Sequence, residues 1–209
     1  MTPEDLANLA AAVETRRDDL TAALAAFQFA PADTPTDDAS ADVTIEALFL
    51  RCFTAYEADL ERLFLHYVTG GVSLSGRVAR SYLAITDESH ARRMIVNGFK
   101  FLSWAKPNAV RDTAANYLEH GWPLIDMLAT QTQHISDCEK IRNRIAHRSM
   151  EASNEFAAVQ RNLFQTERLF EMTPGHLLRT RFRARRKHVL QHYNETLSAT
   201  LLAITDPPA

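Results

Sequence analysis

The sequence predicts an all-α protein, an up-and-down helical bundle with an extra helix at its N-terminus. Three observations carry this expectation. Apolar residues recur every three or four positions through most of the 209 residues, the mark of a helix with one buried face. Glycine and proline are scarce, at six and eight, and they gather where an element would end. No stretch alternates apolar and polar residues over the length of a half-buried strand. With 46% hydrophobic residues, the chain has material for one good core and too little for two. The organisation expected is a helical extension over 1–29, a linker over 30–42 and a helical domain over 43–204.

The first helix is expected over 3–28. Thr2 stands as its cap, Pro3 fills the first helical position, and Glu4 and Asp5 bring acids to the first turn. "APADTPTDDASAD" (30–42) is rich in Pro, Ala and Asp and reads as the linker. The second helix, 43–68, has the clearest stripe: Phe49, Phe53, Tyr56, Leu60, Leu63, Phe64 and Tyr67 fall within about 100° of one another in projection. "TGGVS" (69–73) ends it. Helical segments follow near 75–84, 87–104 and 108–130, punctuated by Lys106-Pro107-Asn108 and Gly121-Trp122-Pro123. Ser136-Asp137-Cys138-Glu139 has the capping-box pattern, so a helix is expected to start at Ser136 and run, with a bend near 149–153, to about 170. "MTPGH" (172–176) breaks it, and a last helix spans 176–204 with Leu178, Phe182, Val189, Tyr193, Leu197 and Leu201 on one stripe.

Charge is uneven along the chain although the net value is only −3. Residues 1–42 hold nine acids against two arginines, residues 172–209 six bases against two acids, and the middle is balanced. The two ends suit each other, or the basic end suits an anionic ligand such as nucleic acid. Arginine outnumbers lysine 19 to 4; with so many alanines alongside, a GC-rich genome explains this better than phosphate recognition does. No apolar run approaches the roughly 18–20 residues of a membrane span, and "MTPEDLANLA" opens acidic, unlike a signal peptide. A soluble protein is expected. Cys52 and Cys138 lie far apart, each inside an apolar pattern, and read as small core residues in a reducing, cytoplasmic setting. His134 lies near Cys138 and His147, but the spacing matches no zinc ligand set, and neither metal nor cofactor is expected.

"DCEKIRNRIAHRS" (137–149) holds the chemistry. On a helical projection Arg142 stands about 100° from Ile141, between Ile145 and Ala146 and within the apolar sector. A guanidinium there needs a carboxylate, or a cleft where a ligand supplies the anion. Glu57, flanking the aromatic stripe of the second helix, is the carboxylate expected if Arg142 is structural. Asn143 and His147, one turn apart, share a neighbouring face. Arg142 and His147 are about 140° apart on a straight helix, so convergence points to a second copy across a two-fold axis.

Arg142-Asn143-Arg144-Ile145-Ala146-His147 resembles the R-x4–6-H motif of HEPN domains, in the form with a polar residue after the arginine. Tyr56-Glu57 in a long apolar helix before the motif, and "TPGHLL" followed by "LQHYNETL" after it, resemble standalone bacterial HEPN proteins of the RiboL-PSP-associated type. The likeness covers about 43–204. It implies a compact helical bundle, usually a homodimer, and a metal-independent endoribonuclease of the kind found in toxin–antitoxin, abortive-infection and CRISPR defence. On that likeness His147 would be the general acid/base, Arg142 would stabilise charge on the phosphate, and Asn143 would orient His147 or contact the phosphate. Products would carry 2′,3′-cyclic phosphate and 5′-hydroxyl ends.

Alternatives stand beside these roles. His147 as a solvated or capping residue is the plain reading. Arg144 and Arg148 are outer-face arginines, either solvated or in contact with RNA. Arg179, Arg181, Arg183, Arg185, Arg186 and Lys187 put six positive charges in nine residues. On a helix these would spread around every face but the buried stripe. The cluster, with Arg179, Arg183 and Arg186 foremost, lines an RNA groove, docks the acidic N-terminal segment or an acidic antitoxin, or is a solvated surface. Functionally, a non-catalytic HEPN module that binds RNA or a partner protein, and a helical scaffold that docks an acidic partner, compete with the nuclease. The N-terminal helix, with its acidic surplus, is also a candidate mimic of RNA.

Overall fold

Eight α-helices follow one another in the computed structural model, which describes residues 1–26, 39–85, 87–98, 102–165, 172–182 and 187–208. They are α1 (Pro3–Ala26), α2 (Ala39–Val68), α3 (Glu88–Gly98), α4 (Pro107–Tyr117), α5 (Leu124–Ala146), α6 (Met150–Phe164), α7 (Pro174–Arg179) and α8 (Val189–Thr205). The architecture is the expected all-α helical bundle, with one two-residue strand pair beside it.

α2 and α8 are its axis. The predicted stripe of α2 is buried from Phe49 to Tyr67, and Phe53 stacks between Phe49 and Tyr56 with ring centroids 5.9 Å away on each side. Leu197, Leu201 and Ile204 of α8 close over it, while α5 packs on both α2 and α8. The Tyr67 hydroxyl donates to the Ile204 carbonyl at 2.6 Å, tying the ends of α2 and α8 together. α1 is no loose extension. Leu6, Leu9, Val13, Leu20 and Leu24 sit along one side of it, join the common core and lie mainly on α8. Arg16 of α1 is paired with Asp59 of α2, and Arg62 stands 3.5 Å from the same carboxylate.

Several boundaries differ from the sequence expectation, each for a physical reason. The predicted linker is shorter at its C-terminal end: residues 39–42 already belong to α2, while 27–38 lie outside the described residues. Residues 75–84 are not helical. Ser73 Oγ accepts from the Arg77 amide at 3.1 Å, and Ser81 Oγ from the Leu83 amide at 3.1 Å; such local side-chain bonds give the backbone an alternative to a helix. Gly76, at φ +82°, turns the chain so that Val72 bridges Val78, and Ser81 bridges Leu118. The helix expected over 108–130 is two, α4 and α5, separated by a 3-10 turn at Glu119–Gly121 in which His120 and Gly121 have φ of 56° and 64°.

The capping box at Ser136 starts nothing. α5 runs straight through it because Leu128, Ile135, Cys138 and Ile141 form one continuous buried stripe. Asp137 is drawn inward, accepting from Gln133 Nε2 at 2.8 Å and from the Tyr193 hydroxyl at 3.3 Å. Packing thus overrides a local signal. α5 stops at Ala146, and Ser149 opens α6 as its cap, its hydroxyl accepting from the Ala152 amide at 3.1 Å. The last predicted helix is also divided. Thr173 caps α7, whose Gly175 amide donates to Glu46 Oε1 of α2 at 2.9 Å. A Cβ on Gly175 would fall 2.5 Å from the Asp42 carbonyl oxygen, so only glycine permits this approach. Two short strands then pair antiparallel, Arg181 opposite His188 and Phe182 opposite Lys187, before α8 begins.

Candidate functional site

The C-terminal turn of α5 sets out the motif. Cys138 and Ile141 face the core and are buried, and Arg142 beside them is only partly so, its side chain 34% exposed. Nη2 of Arg142 lies 3.7 Å from Glu57 Oε1 of α2. Nη1 donates to Asn143 Oδ1 at 3.1 Å. The guanidinium therefore has the inward carboxylate partner that its position requires, and it remains open to solvent on another side. It has five N–H donors in all.

Two carboxyls surround this arginine. Burial pushes Glu57 above the usual carboxylate range, and the Arg142 charge and hydrogen bond only partly offset it. Glu139, three residues before Arg142 on α5, is likewise raised by burial, with Lys106 Nζ 3.9 Å away as the main opposing influence. Glu139 escaped notice as a neighbour of Arg142 because the capping-box pattern claimed it for a helix start. The i, i+3 spacing was the signal that placed the two together.

His147 is the first residue past α5. Its backbone is extended, φ −131° and ψ 137°, and its amide donates to the Asn143 carbonyl at 2.8 Å. The imidazole is exposed. The projection that separated Arg142 from His147 by about 140° assumed a continuous helix, and the chain leaves the helix at this residue. Asn143 contacts both, Arg142 through its side chain and His147 through its backbone.

Arg144 Nη1 donates to the His147 carbonyl at 3.4 Å, a long bond that serves the helix end, and Arg148 is exposed. Carbonyls at a helix C-terminus carry partial negative charge. Arg142, Arg144 and Arg148 place three guanidiniums at this end of α5, opposite in sign to those carbonyls.

The basic segment is arranged differently from the expected helix. Arg179 Nε donates to Asp42 Oδ1 at 2.7 Å, and Thr173 bonds the same carboxylate, so Arg179 holds α7 to the start of α2. Lys187 Nζ donates to Glu195 Oε2 at 2.5 Å. Arg181 is exposed on the first strand. Arg183 and Arg186, both expected to meet RNA, lie outside the described residues, as does Arg185. Since the strand pair replaces the helix here, the all-round charge distribution drawn for a helix does not apply.

Among the described residues no group of three or more His, Cys, Asp or Glu side chains is arranged to hold a metal ion, and no helix is long and apolar enough to cross a membrane. The geometry offers an exposed imidazole, a half-buried guanidinium five residues before it, and two further arginines around them. Scans of the chain against family models, curated proteins and solved structures give no match.

Proposed function

We propose that the chain is a metal-independent endoribonuclease of the HEPN type, working in the cytoplasm as a toxin or antiviral defence effector, and as a homodimer. The observation that carries the reading is the exposed His147 imidazole, held by its backbone just beyond the turn that presents Arg142 and Asn143. In RNA the nucleophile is already present as the neighbouring 2′-hydroxyl. His147 takes its proton as the 2′-oxygen attacks phosphorus, and the P–O5′ bond breaks as the leaving oxygen gains a proton. Arg142 binds the phosphate oxygens, where negative charge accumulates. One imidazole cannot be base and acid in the same instant, which is the chemical reason for a second copy to bring its own His147 to the cleft. Arg144 and Arg148 suit the flanking phosphates, and an antitoxin with an acidic surface would compete for the same arginines.

The test is digestion of single-stranded and transfer RNA in EDTA buffer, wild type against His147→Ala. Cleavage to cyclic-phosphate ends that falls about 10²-fold or more in the variant is the expected result. Intact RNA with the wild type, or equal cleavage by both, overturns the proposal. The Glu57–Arg142 pair favours a second reading, a non-catalytic module in which the arginine serves α2–α5 packing alone.

A further inference from the structure

α1 runs antiparallel to α2, with Pro3 near Thr69 just past the end of α2 and Arg16 paired with Asp59. It leans mainly on α8. Between the three helices runs a cleft of about 230 Å³. Val13 and Leu20 of α1, Leu48 of α2 and Leu201 of α8 give it apolar walls. The Tyr56 hydroxyl and the Asn194 Nδ2 amide are sealed within those walls. Ser198 of α8 differs from them. It is only 6% exposed, its hydroxyl has no hydrogen-bond partner among the described residues, and what surface it keeps opens onto the cleft.

Three charged side chains border this apolar space. Arg16 is balanced by Asp59. Arg51 of α2 and Asp19 of α1 have opposite signs, and among the described residues neither has an ion pair or a hydrogen bond, with each other or with any other group. Counted from the Arg16–Asp59 pair along antiparallel helices, Asp19 lies three residues away and Arg51 eight, so at ~1.5 Å per residue their backbones are offset by roughly 7 Å along the cleft. Arg51 stands at the Cys52 end, where its charge acts on a thiol that burial nonetheless pushes up and keeps neutral.

The two unpaired charges decide what fits between them. An anion drawn to Arg51 is opposed by Asp19, and a cation drawn to Asp19 is opposed by Arg51. A molecule that carries both signs is attracted at each end, and an apolar body can then leave water for the walls. We infer that the α1–α2–α8 cleft binds a free amino acid with an apolar side chain, its carboxylate on Arg51, its ammonium on Asp19, its side chain between the leucines and Ser198 hydrogen-bonded to the charged end. An apolar cavity of about 150 Å³ holds benzene, and this larger cleft takes a molecule the size of leucine or phenylalanine.

L-Leucine and L-phenylalanine are titrated into the full chain while the amide resonances are followed by NMR, beside three fragments of leucine. 4-Methylpentanoate lacks the ammonium, 3-methylbutylamine lacks the carboxylate, and glycine lacks the side chain. Leucine, phenylalanine or both are expected to bind saturably, with shifts centred on α1, α2 and α8, and each fragment about tenfold more weakly or worse. The exposed rim residues give a crossed test. Arg51→Met is expected to weaken leucine about tenfold and leave 3-methylbutylamine unchanged or tighter, while Asp19→Asn weakens leucine and leaves 4-methylpentanoate unchanged or tighter. Ala55→Phe fills the cleft from α2 and should abolish binding, with circular dichroism to show that it is folded. Either single-charge fragment binding as tightly as leucine overturns the inference. So does leucine binding that is indifferent to both rim variants or survives in folded Ala55→Phe, and so does the absence of saturable binding by both amino acids.

Discussion

Arg142→Ala, alone and combined with Glu57→Gln, separates the structural role of this arginine from a role in RNA cleavage. The two side chains stand 3.7 Å apart and are 34% and 23% exposed. At an effective dielectric near 20 the bare attraction is about 4–5 kcal/mol. Solvent screening at both ends and the desolvation that raises the Glu57 carboxyl remove most of it. A net contribution of about 1 kcal/mol is left. Arg142→Ala should therefore lower the melting temperature by roughly 2–4 °C for a chain of this size. Adding Glu57→Gln removes the half-buried charge that has lost its partner and should restore most of that loss. Transition-state stabilisation follows a different scale. Losing one donor group aimed at the developing charge costs about 10²–10³ in rate, or ~2.7–4 kcal/mol, and glutamine at position 57 has nothing with which to replace it.

The decisive measurement sets melting temperature beside kcat/KM on a fluorogenic single-stranded RNA for wild type, Arg142→Ala, Glu57→Gln and the double variant. The expected pattern is a double variant that is stable and still inactive. Cleavage by Arg142→Ala within about threefold of wild type, or cleavage that returns together with stability in the double variant, would refute the reasoning and leave Arg142 as a packing residue. A wild-type chain that cleaves nothing is a separate failure, since it removes the nuclease and leaves the stability arithmetic untouched.

Two further outcomes follow from the packing. Asp137 is 2% exposed, and burial lifts its carboxyl above the ordinary range despite bonds from Gln133 and Tyr193. The folded chain thus holds a proton that the unfolded chain has released, so stability falls as pH rises from the ordinary aspartate range, near 3.8, through the raised folded value. Asp137→Asn should be the more stable protein above that window and equal to wild type below it, with its amide donating to Tyr193 and its oxygen accepting from Gln133; urea melts from pH 4 to 8 that run parallel would contradict this. Deleting 1–26 removes five buried apolar side chains, Leu6, Leu9, Val13, Leu20 and Leu24, at about 1.5–3 kcal/mol each, a sum comparable with the ~5–15 kcal/mol that holds a whole domain. An insoluble or unfolded product is expected rather than a released nuclease, and a soluble, cooperatively melting 27–209 fragment would show that α1 is dispensable.

What the sequence could disclose depended on how far each signal reached. The α2 stripe was legible because seven large apolar residues repeat at helical spacing and every one is buried. Arg142 was legible too, since its projected angle put it inward and Glu57 was the carboxylate within reach of that face. Local patterns misled where a longer-range demand opposed them. Ser136 and Glu139 form a capping box only if a helix begins there, and the buried run from Leu128 to Ile141 requires one that does not. In the opposite direction, 75–84 has helical spacing, but serine hydroxyls and Gly76 bend the backbone away from it. The basic run failed as a helix because Thr173, Asp42 and Arg179 fasten α7 as a separate short turn, a contact between segments 131 to 137 residues apart that no window of sequence contains.

His147 matters most among these corrections, because the first geometric case for a dimer rested on it. That case needed Arg142 and His147 on one rigid helix, facing about 140° apart. Ser149, by capping α6, sets the break that places His147 on extended backbone instead, three residues before the next helix. The His147 amide still bonds the Asn143 carbonyl as a helical residue would, but its φ of −131° turns the side chain out of helical spacing, so the 140° of a straight helix no longer describes its direction from Arg142. The proposed second copy then rests on the proposed reaction alone: transesterification at one phosphate uses a base and an acid, and a partner's His147 is one source of the second.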